Sequence, residues 1–328
     1  LVAGKRVLVT GAAGFIGSHL VETLVQRDAT VTAMVRYNSS SSIGNLGFLP
    51  DPIRAKLTVI SGNIEDSDFV YRAIEGHDIV LHLAALIAIP YSYVAPRSYL
   101  RTNVEGTLNV LEAARRLGTG RVVHTSTSEV YGTALRTPID EEHPLQGQSP
   151  YSASKIGADK IAESYFRSFE TPVVVLRPFN TFGPRQSGRA FIPTIISQAL
   201  DRDAIHLGSL TPQRDMTFVS DTVDGFIRAA TIAGIEGETI NLGTGETYSI
   251  GDFASRILRL MGMEKPIVHD ASRDRPNKSE VMKLVSDNSK AARLLGWRPS
   301  TTLDDGLRQA IEFISANRHL YAPNSYTV

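Results

Sequence analysis

The 328-residue sequence contains no cysteine. This excludes disulfides, thiolate catalysis, zinc–cysteine sites and iron–sulfur clusters. It also lacks an excess of either charge, since 34 Lys+Arg balance 34 Asp+Glu. A nucleic-acid partner would call for a basic surplus, so none is expected. Long hydrophobic runs are missing too. The longest apolar stretch, residues 79–89, is broken by His82 and falls far short of the roughly 20 residues that span a bilayer. The leading LVAGKRVLVTG has no long apolar segment ending in a cleavage site, so no membrane partner and a cytoplasmic location are expected. The eight histidines show no metal-ligand spacing, and no metal is expected. What is present is ample apolar material, 42% of residues, which supports a sizeable core and excludes disorder as the main state.

Short runs of Val, Ile and Leu alternate with helical stretches through the first half of the chain. Strands are predicted at 6–10, 30–35, 57–60, 79–83, 121–125 and 173–176, and crossover helices at 18–26, 104–117 and 152–168. The strands show little polar alternation, as expected when both faces are covered. This alternation predicts an α/β fold with a doubly wound parallel sheet. After Arg177-Pro178 the texture changes. Residues 179–193 read as loop, a helix is predicted at 194–200, and 239–242 can return to the main sheet. Further helices are predicted at 250–261, 289–295 and 303–315. The division expected is a nucleotide-binding domain of 1–178 plus about 215–243, interleaved with a smaller C-terminal substrate domain of 179–214 and 244–328.

The first strand runs into Gly11-Ala12-Ala13-Gly14-Phe15-Ile16-Gly17 and then a helix. A tight turn needs Gly11, backbone approach to a pyrophosphate needs Gly14 without a Cβ, and close helix–strand packing needs Gly17. The helix N-terminus then offers N–H groups to phosphates. An NAD or NADP site is predicted there. The second strand ends Met34-Val35-Arg36-Tyr37-Asn38-Ser39, with no acid to hold ribose hydroxyls. Arg36 and Ser39 can instead meet a 2′-phosphate, or Arg36 is a solvated loop cation.

Tyr151 and Lys155 stand at i and i+4, on one face of a helix. An ammonium beside a phenol favours phenolate and so makes a usable base. Upstream, Ser126-Thr127-Ser128-Glu129-Val130-Tyr131-Gly132 ends a strand, where ligands bind in such sheets. Together with Leu83-Ala84-Ala85, Arg177-Pro178-Phe179-Asn180, Arg214-Asp215 and Leu295-Gly296-Trp297, these residues resemble the extended short-chain dehydrogenase/reductases, the NAD-dependent epimerase/dehydratase family. The resemblance implies a Rossmann-type sheet and a tightly bound NAD or NADP regenerated each turnover. It also implies a nucleotide-diphosphate sugar as substrate and a homodimer formed through the helices at 104–117 and 152–168. Asn63-Ile64 stands where the family usually places Asp and an aliphatic residue against adenine.

The Ser-Thr-Ser-Glu run resembles nucleotide-sugar 4,6-dehydratases, in which the Glu removes the C5 proton. This implies catalytic roles for Thr127, Ser128, Glu129, Tyr151 and Lys155. The run is also similar to UDP-glucuronate decarboxylases, and a 4-epimerase is a further alternative. Segments 89–93, 144–150 and 275–281 resemble dehydratases of the bacterial legionaminic-acid pathway, which implies UDP- or GDP-linked N-acetylglucosamine. The matching positions of Arg214, Arg275 and Asn180, with Arg189 as another candidate, imply diphosphate contacts. Tyr91 and Tyr93 line the sugar pocket or serve as packing aromatics. His82, His124 and Asn103 are expected to be structural.

Overall fold

The computed structural model describes residues 2–274 and 280–321. Its centre is a seven-stranded parallel sheet of β1 (Arg6–Thr10), β2 (Thr30–Arg36), β3 (Thr58–Gly62), β4 (Ile79–His82), β5 (Arg121–Thr125), β6 (Val173–Pro178) and β7 (Thr239–Leu242). The spatial order is β7-β6-β5-β4-β1-β2-β3. Strand 239–242 does return to this sheet, with Ile240 opposite Leu176.

Alternate side chains of each strand feed two different cores. Val7, Val9, Leu81, Val123 and Val174 enter one; Leu8, Val80, Val122, Val173 and Val175 enter the other. The first core is covered by helices Phe15–Gln26 and Val219–Thr231, the second by Ser67–Ile74, Gly106–Leu117 and Pro150–Phe169. Burial on both faces is why the central strands are mostly apolar. The chain runs outward from β1 to β3, then crosses to the other side of β1 for β4. The carboxyl ends of β1 and β4 therefore flank the switch point where doubly wound sheets bind ligands.

Several boundaries differ from expectation, among them the first helix, predicted from 18 and starting at Phe15, and three others are instructive. The helix predicted from 152 begins at Pro150, because Ser149 and Ser152 form a reciprocal capping box and proline suits the first helical turn. The helix predicted from 104 begins at Gly106 and is preceded by a π-helical segment, Leu100–Glu105. The stretch 179–193 is not all loop: Asn180–Phe182 pairs with Met216–Phe218, and the helix Phe191–Asp201 starts early enough to hold Pro193 in its first turn. Small pairings, Ile205–Leu207 with Ile267–His269 and Gln213–Arg214 with Tyr248–Ser249, lie beyond the main sheet. Among the described residues, no helix is long and apolar enough to cross a membrane.

Candidate active site

The glycine turn packs as its residue types require. Gly11 has φ +69°, and a Cβ there would lie 2.7 Å from the Ala84 nitrogen. The turn thus rests directly on Leu83-Ala84-Ala85, which follow β4. A Cβ on Gly17 would fall 2.3 Å from the Gly11 carbonyl oxygen. Gly14 is different. It is exposed, and its missing Cβ leaves room outward, the closest protein atom being the Gly11 oxygen at 3.2 Å. The helix that starts at Phe15-Ile16 has no side-chain cap and no acid in its first turn. Its positive end is left for an external anion. These features fit a dinucleotide diphosphate.

Around this turn, Arg36 is exposed at the end of β2, and Asn63 is exposed just after β3. Ile64 is buried beneath Gly106, where a Cβ would come within 2.9 Å of it.

The second cluster sits at the carboxyl end of β5. Thr127 caps a short 3₁₀ turn, Ser128–Tyr131, by accepting the Glu129 N–H at 3.2 Å. Ser128 is buried and Glu129 partly exposed. The Pro150–Phe169 helix brings Tyr151 to the Thr127 side of the site. Burial raises the Tyr151 phenol above its ordinary value of 10; the nearby Thr127 hydroxyl opposes this, and the Glu129 charge reinforces it. Desolvation is the largest influence on this phenol in the protein by itself. Burial lowers Lys155 to about 8, and the Asp159 carboxylate opposes the drop. The Lys155 ammonium donates to the Thr125 carbonyl at 2.5 Å.

Behind Lys155, one helical turn on, lies Asp159, which sequence reasoning missed. It is buried and accepts from Ser126 Oγ at 2.7 Å, from Arg177 Nη2 at 3.0 Å and from His124 Nε2 at 3.2 Å. Burial pushes its carboxyl up, but the His124 hydrogen bond and the Arg177 charge outweigh this and hold it below the ordinary value. An i+4 acid after the lysine, with an Arg ending the next strand, was the signal available.

A chain of hydrogen bonds joins the two clusters. Thr10 Oγ1 accepts the Leu83 and Ala84 N–H groups, both at 3.1 Å, so its own proton points to His82 Nδ1 at 2.9 Å. His82 Nε2–H then donates to Thr107 Oγ1 at 3.1 Å, and Thr107 donates to the Asn103 carbonyl at 2.6 Å. The Asn103 side chain brackets Leu86 with two bonds and donates to Ser154 Oγ at 2.9 Å, and Ser154 donates to the Tyr151 carbonyl at 2.7 Å. His82, His124 and Asn103 are structural here, as expected from the sequence. Burial holds the His82 imidazole well below its ordinary 6.5, and the bonding pattern requires the neutral form.

The expected substrate residues separate. Asn180 stands at the end of β6 with its buried Oδ1 unpartnered by protein, a group suited to a ligand. Arg189 is exposed and close enough to Tyr99 to oppose its rise to about 12, which burial causes and Tyr91 reinforces. Tyr99 in turn packs edge-on against Tyr151, ring centroids 6.2 Å apart. Tyr99 was another residue missed by sequence reasoning. Tyr91 and Tyr93 are both part-exposed, and Tyr91 lies against Tyr99. Arg214 already has protein partners. It is buried, and its guanidinium donates to the Val281 carbonyl at 2.7 Å and Glu280 at 3.0 Å. Its neighbours supply acceptors that a buried cation needs. Arg275 lies outside the described residues.

Residues 8–310 match the family described as GDP-mannose 4,6 dehydratase. The chain belongs to that family. This places it among the NAD-dependent epimerase/dehydratase enzymes, as the sequence resemblance implied. The dTDP-D-glucose 4,6-dehydratase of Mus musculus is 33% identical over 96% of this chain and 90% of its own. The solved structure of DesIV, a dTDP-glucose 4,6-dehydratase from Streptomyces venezuelae with NAD bound, superposes with a TM-score of 0.87 at 32% identity, covering 97% of this chain and 99% of that one. Epimerase Mth375 from Methanothermobacter thermautotrophicus reaches 0.89 at 31% identity over 98% and 95%. The family's fold therefore serves both dehydration and epimerisation, and fold similarity alone does not choose between them.

The neutral His82 carries a pH consequence. Below about pH 6.5 the unfolded chain takes up a proton that the folded chain refuses, so acidification weakens folding. The urea midpoint is expected to fall between pH 7.5 and pH 5.5, and to fall less in His82→Gln. Equal falls in both proteins would show that His82 does not resist protonation.

Proposed function

We propose that this chain is a 4,6-dehydratase acting on UDP- or GDP-linked N-acetylglucosamine. The observation that carries the reading is a carboxylate, Glu129, at the same strand end as Thr127 and close enough to Tyr151 to perturb its ionisation. A 4-epimerase needs only a base at the C4 hydroxyl, whereas dehydration needs a second base for C5. The substrate assignment rests on the resemblance of segments 89–93 and 144–150 to dehydratases of N-acetylglucosamine nucleotides.

The diphosphate of the dinucleotide would lie on Gly11, Gly14, Phe15, Ile16 and Gly17, its adenosine among Arg36, Asn63 and Ile64, and its remaining length along Leu83, Ala84 and Ala85 towards Tyr151 and Lys155. When bound, its nicotinamide takes hydride from C4, returns it at C6, and by its positive charge favours the Tyr151 phenolate. Tyr151 takes the C4 hydroxyl proton, with Thr127 bonding the same oxygen. Lys155 carries the positive charge that offsets the phenolate, and Asp159 keeps that lysine protonated. Once C4 is a ketone, the C5–H is acidic. Glu129 removes that proton and passes it to the C6 hydroxyl, which leaves as water as the C5–C6 double bond forms, with Ser128 beside the departing oxygen; when the hydride arrives at C6, C5 takes a proton from solvent through Glu129. Asn180, Arg189, Arg214 and Arg275 would face the sugar diphosphate, Arg214 only by exchanging its present partners. The segments 179–214 and 244–328 form the sugar-binding side in this reading, and two copies pair through helices Gly106–Leu117 and Pro150–Phe169.

Mass spectrometry of each N-acetylglucosamine nucleotide after incubation is expected to show loss of one water. Glu129→Gln should slow that loss by about 10²–10⁴-fold, the usual worth of a positioned base, with its melting temperature unchanged. Loss of carbon dioxide from UDP-glucuronate, or full water loss in Glu129→Gln, would overturn the reading. Sedimentation is expected to give twice the chain mass of 35.7 kDa; a monomer at working concentration would remove the dimer.

A further inference from the structure

The two bases of the proposed reaction are held by separate restraints. Tyr151 and Lys155 ride on the Pro150–Phe169 helix, which the Ser149–Ser152 capping box starts and Asp159 fastens to the sheet. Thr127 follows Ser126, whose N–H donates to the Leu176 carbonyl at 2.7 Å and whose hydroxyl donates to Asp159 at 2.7 Å. Glu129 is held differently. Its carboxylate makes no hydrogen bond or ion pair among the described residues, so its place is set by the 3₁₀ turn Ser128–Tyr131 that carries it. Thr127 caps the start of that turn, and the Gly132 N–H donates to the Glu129 carbonyl at 3.3 Å. Tyr131 closes it.

Tyr131 is fully buried. Phe179 and His143 pack against its ring, with centroids 6.4 and 5.6 Å away, and the Arg177 guanidinium lies 5.1 Å over it. A phenol hydroxyl in such a place needs hydrogen-bond partners. The sheet supplies a donor and an acceptor side by side, because Arg177 on β6 and Asn241 on β7 stand opposite each other in register. Arg177 Nη1 donates to the Tyr131 hydroxyl at 2.9 Å, and the hydroxyl donates to Asn241 Oδ1 at 2.8 Å. Asn241 is itself pinned, its Nδ2 donating to the Ile139 carbonyl at 3.2 Å and its N–H to Glu141 at 2.8 Å. Burial raises the phenol above its ordinary 10, so it keeps the proton that the bond to Asn241 requires.

We infer that Tyr131 is the positioning residue for the C5 base: its hydroxyl, locked between Arg177 and Asn241, fixes the turn that presents Glu129, while the C4 machinery is held by other contacts. The inference rests on the reading of Glu129 as the C5 base and adds what aims it. A loosened turn should therefore impair elimination and spare oxidation at C4.

Rapid mixing of the dinucleotide-loaded enzyme with UDP- or GDP-linked N-acetylglucosamine separates the two steps. Absorbance of the reduced nicotinamide reports hydride leaving C4, and mass analysis of quenched samples reports water loss. In Tyr131→Phe, which keeps the ring and removes the hydroxyl, reduced nicotinamide is expected to form at the native rate and to accumulate. Water loss should slow by about 10–10²-fold, the worth of a small misplacement of a reacting group, and deuterium at C5 should slow it further than in the native enzyme. If the phenylalanine variant does not fold, Asn241→Ala, which removes the acceptor and leaves the tyrosine, is expected to show the same split. A merely structural role moves both steps together. Equal slowing of the two steps, or water loss at the native rate, would overturn the role of Tyr131 and leave the dehydratase reading standing. A native enzyme that removes no water from either nucleotide would overturn both.

Discussion

The site depends on one buried carboxylate. Asp159 fastens the Pro150–Phe169 helix to the ends of β5 and β6 through Ser126, His124 and Arg177. Arg177 carries the restraint onward to the Tyr131 hydroxyl at 2.9 Å, which donates to Asn241 Oδ1 at 2.8 Å on β7. Breaking such a pair by removing one partner leaves an uncompensated charge and typically costs about 3–5 kcal/mol. The same carboxylate sits one turn from Lys155 and opposes the fall in its pKa that burial causes. A single group thus fixes where the catalytic helix lies and what charge its lysine carries.

The hydrogen-bond chain through His82 performs a comparable task without charge. It runs from Thr10, below the glycine turn, to Ser154 beside Tyr151. Every donor in it has one acceptor available, so the tautomer of His82 is fixed by its neighbours. The π-helical segment Leu100–Glu105 lets Asn103 reach Leu86 and Ser154 together; such distortions are frequent at functional sites. The two halves of the site, one for phosphates and one for proton transfer, are therefore held in fixed relation before any ligand arrives. Preorganisation of this kind lowers the cost of placing reacting atoms.

Strands such as Arg6–Thr10 and Arg121–Thr125 were legible because burial on both faces leaves a short apolar run without polar alternation, Val7–Val9 and Val122-Val123. The glycine turn was legible because each glycine answers a distinct steric demand. Tyr151, Lys155, Thr127 and Glu129 could be placed in one site because parallel strands bring their carboxyl ends together. Asp159 was overlooked although its i+4 place after Lys155 was visible, because its partners Ser126, His124 and Arg177 meet it only in the fold; Tyr99 could not be read, since it meets Tyr151 only there too. The burial of Tyr151 was not legible for the same reason: the charge of Lys155 is visible in sequence, but the desolvation of the phenol is not. The partners of Arg214 were not legible either, since Glu280 meets it only through the fold.

The central claim is that Tyr151 and Glu129 serve two different carbons of one sugar ring. A nucleotide-linked N-acetylglucosamine deuterated at C4 tests this most directly. The account predicts a product lighter by one water, with the deuterium now at C6. A product that keeps the sugar's full composition, with deuterium still at C4, would contradict it and assign the site to epimerisation.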